Sequence, residues 1–233
     1  MSAPLADRIR PRTLDDVVGQ GHILAEGKPL RRIINSGHVP NMIFYGVSGV
    51  GKTTVARIIA ENCGMSLHKL NGTTASVADI KEVISDIGSF DAVNGILLYL
   101  DEIQYLNKKQ QQTLLEYIEN GDITLIASTT ENPYFSVYSA IISRCTVFEF
   151  KPVTAEQLIP AIKRAFKILS EENKTEIIYN DEILDTIAYN CGGDVRKAIN
   201  TAELAVICGE SENNKIIITS DSLKVISQRS NMR

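Results

Sequence analysis

The segment "GVSGVGKTT", residues 46–54, constrains the fold of this chain more than any other. It follows a short apolar run, "MIFY", leads into the helical pattern "TTVARIIAENCG", and matches G-x-x-x-x-G-K-[ST] in full. Glycines at these positions let backbone N–H groups curl round phosphate oxygens at a helix N-terminus. The segment predicts a phosphate-binding loop whose nucleotide contacts are Gly46, Val47, Ser48, Gly49, Val50, Gly51, Lys52, Thr53 and Thr54.

Two side chains of this loop have distinct predicted roles. Lys52 is expected to bridge the terminal phosphates of the nucleotide, and the Thr53 hydroxyl to ligate Mg²⁺. The run "ILLYLDE" then ends a uniformly apolar strand in Asp101 and Glu102. Adjacent carboxylates at the end of a buried strand are costly unless a cation meets them, and Mg²⁺ is that cation. Because successive strand side chains point opposite ways, Asp101 is assigned to the metal and Glu102 to an attacking water.

Apolar runs of about five residues alternate with helical patterns up to residue 150, which indicates a parallel sheet with helices on both faces. Ile96–Leu100 fits a strand buried on both faces, whereas "TVFEF" alternates and fits a position nearer the edge. Asn71, Thr129 and Thr130 follow strands and are candidate site residues, although such residues are often only turn formers. The strand candidates are "MIFY", "LHKL", "ILLYL", "TLIAS" and "TVFEF".

After residue 151 the pattern becomes helical, so residues 1–151 are predicted to form an α/β nucleotide-binding domain and residues 152–233 a small all-α domain. Thr154 with Gln157 is a capping box, although Pro160 argues for a kink or a later helix start. Asn180 and Asp194 are further N-caps, with Gly192 as the stop between them.

Composition excludes several classes of protein. The net charge of -4 provides no global basic field for nucleic acid, so any such contact must be local. The four cysteines and three histidines show no zinc-binding spacing. The cysteines are predicted to be reduced thiols, and the histidines to be structural side chains without a catalytic role. The N-terminus is charged and the longest apolar run is far below bilayer length, so a soluble protein that is not exported and has no membrane partner is expected.

These motifs together resemble the AAA+ ATPases, and within them the clamp-loader clade. The stretch "DEIQYLNKKQQQTLLEYIENGDITLIASTTENPYF" is similar to the family of replication-associated recombination protein A and the Werner-helicase-interacting ATPase, with the characteristic Thr-Thr-Glu-Asn-Pro run at 129–133. Val47 departs from the usual proline, and "QYL" at 104–106 from the usual His-Arg-Phe. Neither departure touches a phosphate, metal or water contact, so ATP hydrolysis is expected.

The resemblance implies further site residues. It makes Thr129, or its neighbour Thr130, the sensor-one residue, and Asn71 a restraint on the catalytic Glu102. The segment "LADRIRPRTLDDVVGQ" is similar to the adenine-binding segment of the clade, which assigns adenine contacts to Arg10, Pro11, Val17 and Val18.

Two arginines complete the implied site. In "GGDVRKAIN", Arg196 resembles the sensor-two arginine of the helical lid, and it stands early in a helix, where the dipole favours an anionic partner over a cation. In "ISRC", Arg144 resembles an arginine finger that acts in the ATP site of a neighbouring subunit, so a ring or partial-ring oligomer is expected. An ordinary surface arginine and a structural ion pair are the respective alternatives.

The resemblance implies a DNA-dependent ATPase for replication-fork maintenance, recombination or repair, using ATP and Mg²⁺. Its expected partners are other copies of itself, single-stranded or forked DNA and replisome proteins, in the cytoplasm near the nucleoid. Alternatives are a clamp-loader subunit, a branch-migration motor, an ATP-gated scaffold and a small-molecule kinase. The sequence stops just after the lid, where family members continue into a tetramerisation region, so a shortened version or part of a longer protein is expected. Candidate DNA contacts, which are ordinarily solvated surface groups, are Lys108, Lys109, Arg31 and Arg32.

Overall fold

A computed structural model describes residues 4–87 and 94–224. The chain divides into two compact units, one of Arg12–Lys151 and one that joins the residues up to Pro11 to those from Pro152 onward. The first unit corresponds to most of the predicted α/β domain. The N-terminal segment lies with the other unit because helix α1, Leu5–Arg8, packs there and Arg8 pairs with Glu172. The predicted boundary at 151/152 stays a prediction.

The first unit contains the five-stranded parallel sheet that the sequence predicts. Its strand order is β2-β3-β4-β1-β5, so β5 lies at an edge, as its alternating pattern indicates. The strands are β1 Met42–Tyr45, β2 Ser66–Asn71, β3 Ile96–Asp101, β4 Ile123–Thr129 and β5 Thr146–Glu149. The helices are α2 Gly21–Leu24, α3 Pro29–Ser36, α4 Lys52–Cys63, α5 Val77–Ser85, α6 Lys108–Asn120, α7 Pro133–Ser136 and α8 Ser139–Ile142, with 3₁₀ turns at Leu14–Asp16 and Ile103–Tyr105.

Helices cover both faces of the sheet, and β3 contributes side chains to both hydrophobic clusters. Leu97 and Tyr99 pack on the face covered by α3 and α4, whereas Leu98 and Leu100 pack on the face covered by α5 and α6. This alternation follows from the two-residue period of a strand. The uniformly apolar run in the sequence therefore marks a strand buried on both sides, as expected.

The second unit is mainly helical, with α9 Ala155–Asn173, α10 Asp181–Asn190 and α11 Val195–Ile207. The Thr154 capping box is present, and α9 starts at Ala155 and runs through Pro160, so the later start is excluded. Asn180 and Asp194 cap α10 and α11 as predicted.

An all-helical second domain is not what the structure shows, because that unit also contains a three-stranded sheet in the order β6-β8-β7. Its strands are β6 Glu176–Ile178, β7 Glu210–Glu212 and β8 Lys215–Ile217. Three-residue strands are too short for a periodic pattern to reveal them. The helical character of the unit is otherwise as expected.

Candidate nucleotide-binding site

The loop between β1 and α4 is shaped by glycines and by a buried lysine. Gly46 has φ +147°, and a Cβ there would lie 2.1 Å from the Phe150 carbonyl oxygen, so a larger residue does not fit. Gly51 has φ +100° and directly precedes the first helical residue, Lys52. Sequence and backbone geometry thus agree on a tight loop that opens a helix.

Lys52 is only 7% exposed, and its ammonium points back into the loop. Nζ donates hydrogen bonds to the carbonyl oxygens of Gly46 at 2.5 Å and Val47 at 2.9 Å. Burial lowers the pKa of Lys52, and the nearby carboxylates of Glu102 and Asp101 oppose that effect. An ammonium group has three protons, and two of them are used in these hydrogen bonds. The desolvated charge and the third proton are suited to an anion that enters the loop.

Thr53 and Asp101, the two predicted metal ligands, are connected through the hydroxyl of Tyr99. The Tyr99 oxygen lies 3.0 Å from Thr53 Oγ1 and donates to Asp101 Oδ1 at 3.2 Å. The Ser128 hydroxyl donates to the same Oδ1. Mg²⁺ commonly binds through one or two protein oxygens together with substrate phosphates. A hydroxyl and a carboxylate held together beside the loop fit that ion.

Glu102 stands on a strained backbone and is held by Thr130, the alternative sensor-one residue, and by Gln104, which the sequence did not assign to the site. The φ of Glu102 is +54°, in the left-handed region. Its Oε2 accepts hydrogen bonds from Thr130 Oγ1 at 3.2 Å and from Gln104 Nε2. The carboxylate is therefore fixed at the carboxyl end of the sheet by its own pair of donors, separate from those of Asp101.

Thr129 and Asn71 lie at the expected sheet edge, but their side chains bind elsewhere. Thr129 is fully buried, and its Oγ1 accepts from the Glu131 backbone N–H at 3.0 Å. The Asn71 side-chain oxygen accepts from the backbone N–H of Thr73 at 2.9 Å and from its hydroxyl at 2.8 Å. Strand alternation explains why Thr129 does not reach the acids. Ser128 and Thr130 lie on the face of β4 that meets Asp101 and Glu102, and Thr129 points to the other face.

The segment before α2 borders the loop. Val17, which is half buried, lies about van der Waals distance from Gly51, since a Cβ at Gly51 would be 3.8 Å from Val17 Cγ1. Gln20, which sequence reasoning missed, donates to the Val50 carbonyl at 3.5 Å and to the Lys151 carbonyl at 2.7 Å. Gln20 has φ +58° and is buried, so it fastens this segment to the end of the loop. Val18 is also half buried.

The remaining predicted residues do not join this cluster within the first unit. Arg144 forms an ion pair with Glu119 at the end of α6 and donates to the Ala140 carbonyl at 2.8 Å. Arg196 is exposed in the first turn of α11, and Arg10 pairs with Asp7 beside the half-buried Pro11. Arg10, Pro11 and Arg196 belong to the second unit, whereas Arg144 belongs to the first.

Over residues 4–87 and 94–224, no helix has both the length and the apolar character that a membrane span needs. In the same part of the chain, no three His, Cys, Asp or Glu side chains are grouped so that they could hold a metal ion by themselves.

A glycine-rich loop at a helix start, its buried lysine and a strand that ends in two acids define a P-loop nucleoside triphosphatase. The family model described as "ATPase family associated with various cellular activities (AAA)" matches residues 42–153. The chain carries an AAA domain, and over nearly its whole length it is homologous to replication-associated recombination protein A and ATPase WRNIP1.

Replication-associated recombination protein A of Bacillus subtilis is 38% identical over 231 residues, which cover 97% of this chain and 53% of that protein. ATPase WRNIP1 of Dictyostelium discoideum is 36% identical over 211 residues, 90% of this chain and 24% of that protein. The solved structure of the Thermotoga maritima RuvB Holliday junction branch migration motor aligns with a TM-score of 0.75 at 26% identity, over 96% of this chain and 74% of that chain. The chain spans about half the length of the Bacillus subtilis protein and about a quarter of the Dictyostelium discoideum protein.

Replacing Gly72 by alanine tests the close approach that supports Glu102. A Cβ at Gly72 would lie 2.2 Å from the Glu102 carbonyl oxygen, so Gly72→Ala should destabilise the first unit by about 1–3 kcal/mol, the usual cost of overpacking. The urea unfolding midpoint measures this. Gly21→Ala is the matched control, because a Cβ there meets nothing within 4 Å, and it should be neutral or slightly stabilising. Equal midpoints for the two variants would contradict the packing argument.

Proposed function

We propose that this chain is an ATP-hydrolysing motor that works in DNA replication-fork maintenance, recombination or repair. The observation that carries the proposal is the arrangement of Lys52, Asp101 and Glu102, which places a buried cation and two separately held carboxylates around one phosphate-binding loop. The names of the homologues support the cellular process. The structural likeness to a branch-migration motor supports DNA movement as the output.

ATP binding is assigned to the loop and its neighbours. Backbone N–H groups from Gly46 to Thr54 would cradle the phosphates, and Lys52 would exchange its two loop carbonyls for phosphate oxygens. Thr53 and Asp101 would hold Mg²⁺, which neutralises charge on the phosphates. Arg10, Pro11, Val17 and Val18 are proposed to contact the adenine, and Arg196 the γ-phosphate.

Glu102 is proposed to orient or deprotonate the attacking water. Thr130, rather than Thr129, is the proposed sensor-one residue, because Thr130 reaches the carboxylate of Glu102. Gln104 adds a second donor, while its own Oε1 is buried and has no hydrogen-bond partner among the described residues. A buried oxygen without a partner costs about 1–3 kcal/mol, so a rearrangement of Gln104 that gives this oxygen a donor when nucleotide binds would recover that cost. Asn71 would act indirectly, through the turn of residues 71–73 that contains Gly72.

Arg144 is proposed to complete the ATP site of a neighbouring subunit, so that the active form is an oligomer. Its ion pair with Glu119 is partly exposed on both sides, and such pairs contribute about 0–1 kcal/mol. The guanidinium could therefore leave Glu119 at little cost when a phosphate chain is presented. An arginine finger of this kind stabilises charge that develops on the γ-phosphate.

DNA, single-stranded or forked, is the proposed effector. Replisome proteins are proposed as further partners, and the proposed location is the cytoplasm close to the nucleoid. Lys108 and Lys109 stand in the exposed first turn of α6, and Lys108 lies 5.5 Å from the ring centroid of Tyr138. Arg31 is half buried and paired with Asp15, whereas Arg32 is exposed, so Lys108, Lys109 and Arg32 are stronger candidates for a phosphate contact than Arg31. DNA stimulation of the ATPase is part of the proposal.

ATP turnover by the purified chain is the first test. Turnover per chain should rise with protein concentration, since each site needs the arginine of another subunit, and it should rise further with single-stranded or forked DNA. Phosphate release measured over a hundredfold range of protein concentration checks both. Lys52→Ala is the control that should show no turnover. If the wild type binds ATP but releases no phosphate at any concentration, the chain is an ATP-gated scaffold and not a motor.

Arg144→Ala separates binding from turnover. The variant should bind a fluorescent ATP analogue with wild-type affinity but lose turnover by about 10³-fold or more, the usual effect of removing an arginine finger. Mixing it with Glu102→Gln, which is also inactive alone, should restore some turnover at interfaces that combine an intact Arg144 with an intact Glu102. Failure of every mixing ratio to restore turnover would count against a site shared between subunits.

Thr130 and Thr129 can be distinguished by matched valine variants, which keep the shape of the side chain and remove the hydroxyl. Thr130→Val should lower kcat by roughly tenfold to hundredfold, because Glu102 loses the donor that orients it, with little change in thermal stability. Thr129→Val should lower thermal stability, because the Glu131 N–H loses its partner, while kcat falls much less. Steady-state kinetics with melting curves give both numbers, and the reverse pattern would return the sensor role to Thr129.

A further inference from the structure

Tyr99 is the one polar side chain in the apolar body of β3, and its hydroxyl reaches both predicted metal ligands. The strand reads "ILLYLD", and Tyr99 and Asp101 are two residues apart, so they share the face that packs against α4. Tyr99 is 2% exposed. Its hydroxyl therefore emerges from the core directly beneath the carboxylate of Asp101 and beside Thr53, the second residue of α4.

The packing of the ring does not require the hydroxyl. The aromatic ring belongs to the hydrophobic cluster with Val55, Ile59 and Ile126, which a phenylalanine ring would fill equally well. A buried phenol is retained at a cost unless its hydroxyl has partners. Here those partners are the side chains of Thr53 and Asp101, which are also the two side chains assigned to Mg²⁺.

Counting protons sets the direction of these hydrogen bonds. Tyr99 has one hydroxyl proton, and it goes to Asp101 Oδ1 at 3.2 Å. The contact of 3.0 Å between Tyr99 and Thr53 must then use the proton of Thr53. Both Tyr99 and Ser128 donate to Oδ1, and among the described residues the hydrogen bonds to this carboxylate all reach that oxygen. The lone pairs of Thr53 Oγ1 and the whole of Asp101 Oδ2 accept no hydrogen bond from the described residues.

We propose that Tyr99 is a positioning residue for Mg²⁺, orienting the Thr53 hydroxyl and the Asp101 carboxylate so that their metal-binding lone pairs face the nucleotide. The inference rests on the proposed function, because it assumes that this loop binds a magnesium nucleotide. Tyr99 itself does not touch the ion or the phosphates. It acts as a partner of two ligands, the kind of group whose loss lowers metal affinity by about 10–100-fold.

The test compares nucleotide binding with and without metal. A fluorescent ADP analogue is titrated into wild type and Tyr99→Phe in EDTA, and the Mg²⁺ concentration that gives half of the metal-dependent increase in affinity is then measured. Tyr99→Phe should leave metal-free affinity within about twofold of wild type and raise the Mg²⁺ midpoint by about tenfold or more. Tyr179→Phe is the matched control, because Tyr179 packs on Phe166 in the other compact unit and should change neither value.

An unchanged Mg²⁺ midpoint in folded Tyr99→Phe would overturn the inference. An equal fall in the nucleotide affinity of this variant with and without metal would overturn it too, because the hydroxyl would then only hold the loop. If Tyr99→Phe does not fold by its melting curve, Ser128→Ala removes the other donor to Oδ1 and should raise the Mg²⁺ midpoint severalfold; no rise there also overturns it. A wild type that binds no nucleotide refutes the proposed function itself. A wild type that binds with Mg²⁺ but does not turn over refutes only hydrolysis.

Discussion

The parallel pairing of β4 with both β1 and β3 is the constraint on which the site depends. Tyr45 pairs with Thr129 and Leu100 with Ala127, so the loop after β1, the acids after β3 and the hydroxyls at the end of β4 meet at one sheet edge. The Gly46 N–H donates to the Thr129 carbonyl at 3.1 Å, which continues the ladder one residue into the loop. A slip of one residue in β3 would move Asp101 to the opposite face, away from Thr53.

This register also separates two carboxylates that would otherwise repel each other. Asp101 lies on the α4 face and accepts hydrogen bonds from Tyr99 and Ser128, whereas Glu102 leaves the strand with a positive φ and accepts from Thr130. Each acid has its own donors, which lowers the cost of two neighbouring charges at a buried edge. The cost of the strained backbone at Glu102 is of order 1–3 kcal/mol, and such strain persists where surrounding contacts impose it.

The fold and the core of the site were predictable because they follow from strong local patterns. Apolar runs located all five strands, and the glycines with Lys52 identified the loop. The supporting contacts were harder, since they depend on the register between strands. The two-residue period alone places Ser128 and Thr130 on one face and Thr129 on the other, but only the register shows which face meets the acids. Tyr99 carried a weaker signal, a hydroxyl inside an aliphatic strand two residues before an acid, and Gln20 carried none.

Arg144 combines an anchored backbone with an exposed guanidinium that contacts Glu119, the Ala140 carbonyl and the Ser143 hydroxyl, and that combination suits its proposed contact with a neighbouring subunit. The next residue, Cys145, packs against the core beside α6 and α8, where burial raises the pKa of its thiol to about 12 and keeps it neutral. Ile141, one turn earlier, is fully buried in the same cluster. The backbone at Arg144 is therefore anchored on both sides, while the guanidinium rests on an exposed carboxylate, Glu119, that competes only weakly with a phosphate chain.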